Sequence, residues 1–225
     1  MLSERQSQIL NTIVDEYINT AMPVSSGVLF DKGFFEVSCP TIRNEMADLT
    51  DMGFLVQPHT SAGRVPTERG YRFFVDELVV NSQETRAPTP LRPKSELRGA
   101  SKKHGRLFDR AREVSHNTND LVICVDEEDG EVKYLGLKKV LGNPEFSTHE
   151  AVLSMLEELE RFENYIDGVQ KYLTRDLTIF IGSENPFFEN SKYSMISARV
   201  NESFIALLGP MRMRYKINLS LLERI

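Results

Sequence analysis

Two short runs of side chains between positions 41 and 64 have the chemistry needed to read a nucleic acid. The first lies in CPTIRNEMADLTDMGF, residues 39–54, where Thr41, Arg43, Asn44 and Ala47 alternate with Ile42, Met46 and Leu49. Apolar residues at that spacing make one face of a helix, so the small and polar residues fall on its other faces. A guanidinium matches the acceptor edge of guanine, a carboxamide matches adenine, and small side chains allow close approach. The second run is QPHTSAGRVP, residues 57–66, carrying Gln57, His59, Thr60, Ser61 and Arg64. It holds hydroxyls, Pro and Gly but no large apolar group before Val65, so it cannot be core. Its donors suit phosphates or a minor groove. The plain alternative is a solvated hairpin turn; its place directly after the helix favours the interface.

The elements that must position these groups are legible around them. Pro40 fits the first turn of a helix, with Ser38 or Cys39 at the cap, and Gly53 follows its last apolar turn as a C′ residue does. Phe54–Gln57 and the residues after Arg64 read as two strands, and a further helix follows. Upstream, Ser3-x-x-Gln6 has the form of a capping box. Ile9, Leu10, Ile13, Val14, Tyr17 and Ile18 then mark an amphipathic helix that Ala21-Met22-Pro23 ends. Ser25 or Ser26 can cap a short helix from Val28 to about Lys32, closed by Gly33. Helix, turn, short helix, turn, groove-type helix and hairpin together predict a winged helix-turn-helix over residues 1–82.

These residues closely resemble the HrcA family of bacterial heat-inducible transcription repressors. The resemblance is carried by ILNTIVDEYINTAMPVSSGVL, TIRNEMADLTDMGFL and QPHTSAGRVPTERGYRFFVDEL. It returns in IGSENPFFENSKYSMISARV and LLGPMRMRY, and more weakly in YLGLKKVLGNPEF. It implies binding to an inverted-repeat operator of CIRCE type in double-stranded DNA, upstream of chaperone genes. It also implies a GAF-like domain after the winged helix, a homodimer, and the GroEL chaperonin as a partner. Members hold a long segment with an inserted dimerising domain where this chain has only DEEDGEVK, between Leu121–Val125 and Tyr134. The expected fold is therefore α+β: an N-terminal winged helix-turn-helix followed by a reduced GAF-like α+β domain with a small antiparallel sheet, residues 113–225.

Charge sets a condition on the DNA reading. The chain of 225 residues carries −6 overall. Residues 1–82 hold 6 Lys/Arg against 11 Asp/Glu, residues 83–112 hold 9 against 3, and residues 113–225 hold 12 against 19. The reading domain is acidic in sum, so the docking face has to carry the attraction. The stretch 83–112 reads as a basic, Pro-containing linker and the start of a connecting helix, from about Glu96 to His116. Leu97, Leu107, Phe108, Ala111 and Val114 would face a core; Lys102, Lys103, Arg106 and Arg110 would face phosphates, or else solvent. Two cysteines, Cys39 and Cys124, predict no disulfide framework and fit a reducing cytoplasm. A redox role for Cys39 at a helix start is the lesser reading. No metal-ligand spacing, cofactor motif, membrane span or signal peptide is visible, and no nucleophile is paired with a base, so neither an enzyme nor a cofactor is expected.

In the second domain, strands are expected at Leu121–Val125, Glu131–Leu137, Thr178–Ile181, Ser194–Val200 and Ser203–Leu208. One helix is expected from Phe146 to Tyr172 and another from Arg212 onward. Gly182–Asn185 and Gly209–Tyr215 could hold a ligand, but structural loops tied by a Glu184–Arg212 bridge explain both. Two other functions compete with a repressor: a winged-helix regulator whose second domain senses a metabolite, and a winged-helix module used only for protein contacts.

Overall fold

The computed structural model describes residues 2–84, 103–126, 130–173, 176–189, 191–201 and 203–225. Contacts divide the chain into two compact units, residues 1–86 and 87–225. The architecture is mixed α+β with an antiparallel sheet.

The first unit begins with α1, Glu4–Thr20, opened by the capping box: Gln6 N–H donates to Ser3 Oγ at 3.2 Å and Ser3 N–H to Gln6 Oε1 at 3.0 Å. It stops at Ala21, which takes a left-handed φ of 54°. Helix α2, Ser26–Asp31, is capped by Ser25, and α3, Cys39–Asp51, by Ser38 with Pro40 in its first turn. Helix α3 ends in a Schellman motif. Gly53 N–H reaches the Thr50 carbonyl, Phe54 N–H reaches that of Leu49, and Gly53 sits at φ 78°. The helix stop thus consumes the amide of Phe54. The strand expected from Phe54 therefore shortens to β1, Leu55–Val56, which pairs antiparallel with β2, Val65–Pro66. Thr67 then caps α4, Glu68–Glu84, accepting from Gly70 N–H. Ile9, Leu10, Ile13 and Val14 of α1, Leu29 of α2, Ile42, Met46 and Leu49 of α3, and Tyr71, Phe74 and Val75 of α4 are all buried.

The second unit is built on five antiparallel strands in the order β4-β3-β7-β6-β5. They are β3 Leu121–Asp126, β4 Glu131–Leu135, β5 Leu177–Ile181, β6 Tyr193–Val200 and β7 Ser203–Pro210. Strands β3, β6 and β7 are central and almost wholly buried, which accounts for their apolar runs. One face carries Leu121, Ile123, Val125, Met195, Phe204 and Leu208 into a core with Met155, Phe162, Val169 and Phe187. Helix α5, Lys103–Asn117, lies along β3, burying Leu107, Phe108, Ala111 and Val114. It is a layer of this unit, while the expected helix start near Glu96 and the residues Leu97 and Lys102 lie outside the described residues. Helix α8, Tyr215–Leu222, packs on β6.

Two expectations change here. The single helix from Phe146 to Tyr172 is three pieces: a 3-10 turn at Pro144–Phe146, α7 at His149–Glu163 started by the Thr148 cap, and a 3-10 run at Ile166–Lys171. Asn164 ends α7 by turning its carboxamide onto the Glu160 carbonyl, while the apolar period continues because Val169 and Leu173 still enter the core. A short helix α6, Leu137–Val140, follows Gly136 at φ 84°, where a longer β4 was expected. Lys139 of α6 places its ammonium on the carbonyls of Ser115, His116 and Thr118, closing the C-terminal end of α5.

Candidate nucleic-acid interface

Helix α3 sits with Ile42, Met46 and Leu49 inward, and Arg43, Asn44 and Asp48 exposed. Thr41 and Ala47 are half-buried at the edges of that exposed face, and Thr41 Oγ1 lies 2.9 Å from the capping Ser38 Oγ. The partition follows from the helical period: the residues that anchor α3 cannot be the ones it presents.

The loop between β1 and β2 is ordered by its own polar groups. Gln57 Nε2 donates to the carbonyls of Thr60, at 2.8 Å, and Ala62, at 2.9 Å. Gln57 is therefore spent on bracing the loop, whereas His59, Thr60 and Ser61 are exposed at its tip. The base of the loop is clamped to the segment before α2. Val24 and Arg64 form a two-way backbone bridge, Val24 N–H to the Arg64 carbonyl at 2.9 Å and the reverse at 2.7 Å. Gly63 makes this approach possible, because a Cβ there would lie 2.4 Å from the Val24 carbonyl carbon and oxygen. Arg64 is half-buried and its Nε donates to Thr50 Oγ1 of α3 at 3.0 Å.

These groups meet around one open cavity of about 320 Å³. Ser25 and Ser26 line it from the start of α2, Arg43 and Met46 from α3, and Gln57 with Thr60–Arg64 from the loop. Of the nine sequence-derived site residues, Arg43, Gln57, Thr60, Ser61 and Arg64 line this cavity. Asn44 shares the exposed face of α3, and His59 lies at the exposed loop tip. Sequence reasoning missed Ser25 and Ser26 as lining residues. Their only signal was a helix-cap pattern, which says nothing about what lies opposite.

The basic side chains of this unit are mostly spoken for. Glu45, on α3, pairs with Arg5 at 3.4 Å, and Glu16 pairs with Lys32 at 2.6 Å. Arg69 donates to the Met52 carbonyl at 2.7 Å and lies over the Phe54 ring, and Arg72 pairs with Asp76. Among the basic side chains described in residues 1–80, that leaves Arg43 and the terminal nitrogens of Arg64, and both residues line the cavity. Within the net charge of −5 over residues 1–82, the cavity is thus lined by two arginines and no acidic side chain, while Asp48 is exposed on α3 nearby.

In the second unit the expected Glu184–Arg212 bridge gives way to other partners for both residues. Arg212 grips Glu145 through two nitrogens, and Glu184 accepts from the Ile181 N–H at 3.0 Å. Arg110, expected to face phosphates or solvent, donates to the Ile225 carbonyl. The side chains of Lys103 and Arg106 lie outside those described. Cys124 is buried on β3, where burial and the neighbouring Asp126 push its thiol up to about 12, so it packs as a neutral group. Among the described residues no helix is long and apolar enough to cross a membrane.

Residues 77–217 match the sequence profile of the HrcA protein C terminal domain. Over 78 residues the chain is 64% identical to the heat-inducible transcription repressor HrcA of Natranaerobius thermophilus, a stretch covering 35% of this chain and 23% of that protein. Over 84 residues it is 55% identical to the repressor of the same name from Acetivibrio thermocellus, covering 37% of this chain and 24% of that one. The match therefore spans about a quarter of the length of these relatives. The crystal structure of a hypothetical protein at 2.2 Å resolution has the same fold, with a TM-score of 0.74 at 22% identity over all of this chain and 96% of that one. With a profile match over 141 of its residues, more than half its length, this chain belongs to the HrcA family.

Proposed function

We propose that the chain is a sequence-specific DNA-binding transcriptional repressor of heat-shock genes, and that its first unit is a winged helix-turn-helix. The carrying observation is the face formed by α3 and the β1–β2 loop, the wing. Exposed Arg43 and Asn44 and the free nitrogens of Arg64 stand beside hydroxyls, with no large apolar side chain at the loop tip. Helix α3 enters a major groove, where Arg43 and Asn44 read base edges and Thr41 and Ala47 allow close approach. His59, Thr60, Ser61 and Arg64 hold the flanking backbone, and Gln57 keeps the wing in shape. The names of the matched relatives support the repressor reading over a metabolite-sensing regulator. The target is an inverted repeat of CIRCE type, read by two copies of the chain joined through the second, GAF-like unit, in a cytoplasmic setting; the GroEL chaperonin is a further proposed partner.

The test is titration of operator and scrambled duplexes. Arg43→Ala and Asn44→Ala should each weaken operator binding by about 1–3 kcal/mol and leave scrambled DNA nearly unaffected. Equal losses on both duplexes would assign these residues to the phosphates or to the fold instead.

A further inference from the structure

We infer that Thr50 of α3 is a positioning residue that sets the Arg64 guanidinium to grip a DNA backbone phosphate in the cavity between α2, α3 and the wing. The inference rests on the DNA-binding reading above and adds to it a residue that touches no DNA.

Thr50 has one hydroxyl proton, and its Oγ1 donates it to the Met46 carbonyl at 2.8 Å. That bond orients the oxygen's lone pairs, one of which accepts from Arg64 Nε at 3.0 Å. A guanidinium is a rigid plane, so fixing Nε–H on one edge fixes where its two terminal nitrogens stand. The backbone of Arg64 is held as well, by the two-way bridge to Val24 and by Gly63 pressed against the same carbonyl. Main chain and side chain are thus both set before any ligand arrives, and less side-chain freedom is lost on binding than for a free surface arginine.

The cavity that Arg64 lines is suited to an anion. Ser25, Ser26, Thr60 and Ser61 line it with hydroxyls, and no acidic side chain lines it. A phosphodiester oxygen is the ligand that a guanidinium edge and hydroxyl donors share in a groove-reading protein. Thr50 itself is half-buried behind Arg64, which makes it a support for the grip.

The experiment measures operator binding by the full chain at several salt concentrations, for the parent and for Arg64→Ala, Thr50→Val, Thr50→Ser and the Thr50→Val/Arg64→Ala double variant. Valine has the shape of threonine without the hydroxyl; serine keeps the hydroxyl. Arg64→Ala should lower the slope of log affinity against log salt by about one unit and affinity by about eightfold at 0.1 M salt, as loss of one phosphate contact requires. Thr50→Val should lower the slope by part of that unit and affinity by a few-fold, with an unchanged thermal midpoint. Thr50→Ser should restore the parent slope, and the double variant should add nothing to Arg64→Ala. A parent slope in Thr50→Val, beside a lowered one in Arg64→Ala, would overturn the positioning role. A lowered slope in Thr50→Ser equal to that of Thr50→Val would make Thr50 merely structural. An unchanged slope in Arg64→Ala would remove the phosphate, and absence of any duplex binding by the parent would overturn the DNA reading beneath it.

Discussion

Gly63 and Asp120 show how much single positions carry. At Gly63 any side chain would meet the Val24 carbonyl group at 2.4 Å, and both partners there are backbone, which cannot swing aside. We expect Gly63→Ala to open the base of the wing, costing about 1–3 kcal/mol in thermal unfolding and weakening binding to every duplex. An unaltered melting curve with unaltered binding would refute that role. Asp120 lies buried between α5 and α8, accepting from Thr118 Oγ1 and from Asn218 Nδ2 at 2.6 Å. Burial holds its carboxyl above the ordinary value of 3.8, against the opposing hydrogen bonds of Asn218 and Thr118 and the charges of Arg214 and Arg212. A raised carboxyl contributes stability fully below its unfolded value, and that contribution is lost as pH rises through the folded value. The midpoint of Asp120→Asn, relative to the parent, should therefore improve between pH 4 and pH 8. A constant or falling difference would show that the carboxyl is not raised.

At the scale of elements, α3 and the β1–β2 loop act as one assembly. The Schellman stop at Gly53 sends the chain directly into β1, Gln57 shapes the loop, and Thr50, Gly63 and Val24 tie the end of the loop to α3 and to the segment before α2. A wing fastened in this way should hold its geometry without DNA. Gln57→Ala removes both bonds to the Thr60 and Ala62 carbonyls while leaving the clamp at Val24 intact. We expect faster amide hydrogen exchange confined to residues 59–62, with the amide of Arg64 still protected. Exchange spreading through Val24 and Arg64 would mean that the loop tip and its base open together.

At the scale of the whole molecule, the proposed inverted-repeat target calls for two copies. One winged helix reads few base pairs, and joining two copies raises the effective concentration of the second. Strands β3 and β4 are joined across residues 127–130 alone, so pairing has to use surfaces the unit retains. Leu153 and Leu156 of α7, Tyr165 and Tyr172 after it, and Ile217 of α8 are large, apolar or aromatic, and exposed. We expect light scattering at micromolar concentration to give a dimer, and the Leu153→Asp/Leu156→Asp pair to give a monomer that binds a two-site operator no more tightly than a half-site. A parent that is monomeric with and without DNA would refute the proposal.

Local chemistry made much of this protein legible from its residues. Capping patterns at Ser3, at Ser25 or Ser26 and at Ser38 or Cys39, the stop at Gly53 and the spacing of Ile42, Met46 and Leu49 each act within one helical turn, so they could be read along the chain, the structure choosing Ser25 and Ser38. The family resemblance was legible for a related reason, because long contiguous runs such as PHTSAGRVPT carry it, and the profile match agrees. What lay beyond local reading was pairing across distance. The break of the predicted long helix at Asn164 was masked because Val169 of the 3-10 run and Leu173 after it keep the same apolar period. That Arg212 meets Glu145, that Ser25 and Ser26 line the cavity, and that Thr50 stands behind Arg64 depend on which elements pack together. Periodicity states which face of a helix is buried; only the tertiary structure decides what that face, and the opposite one, are set against.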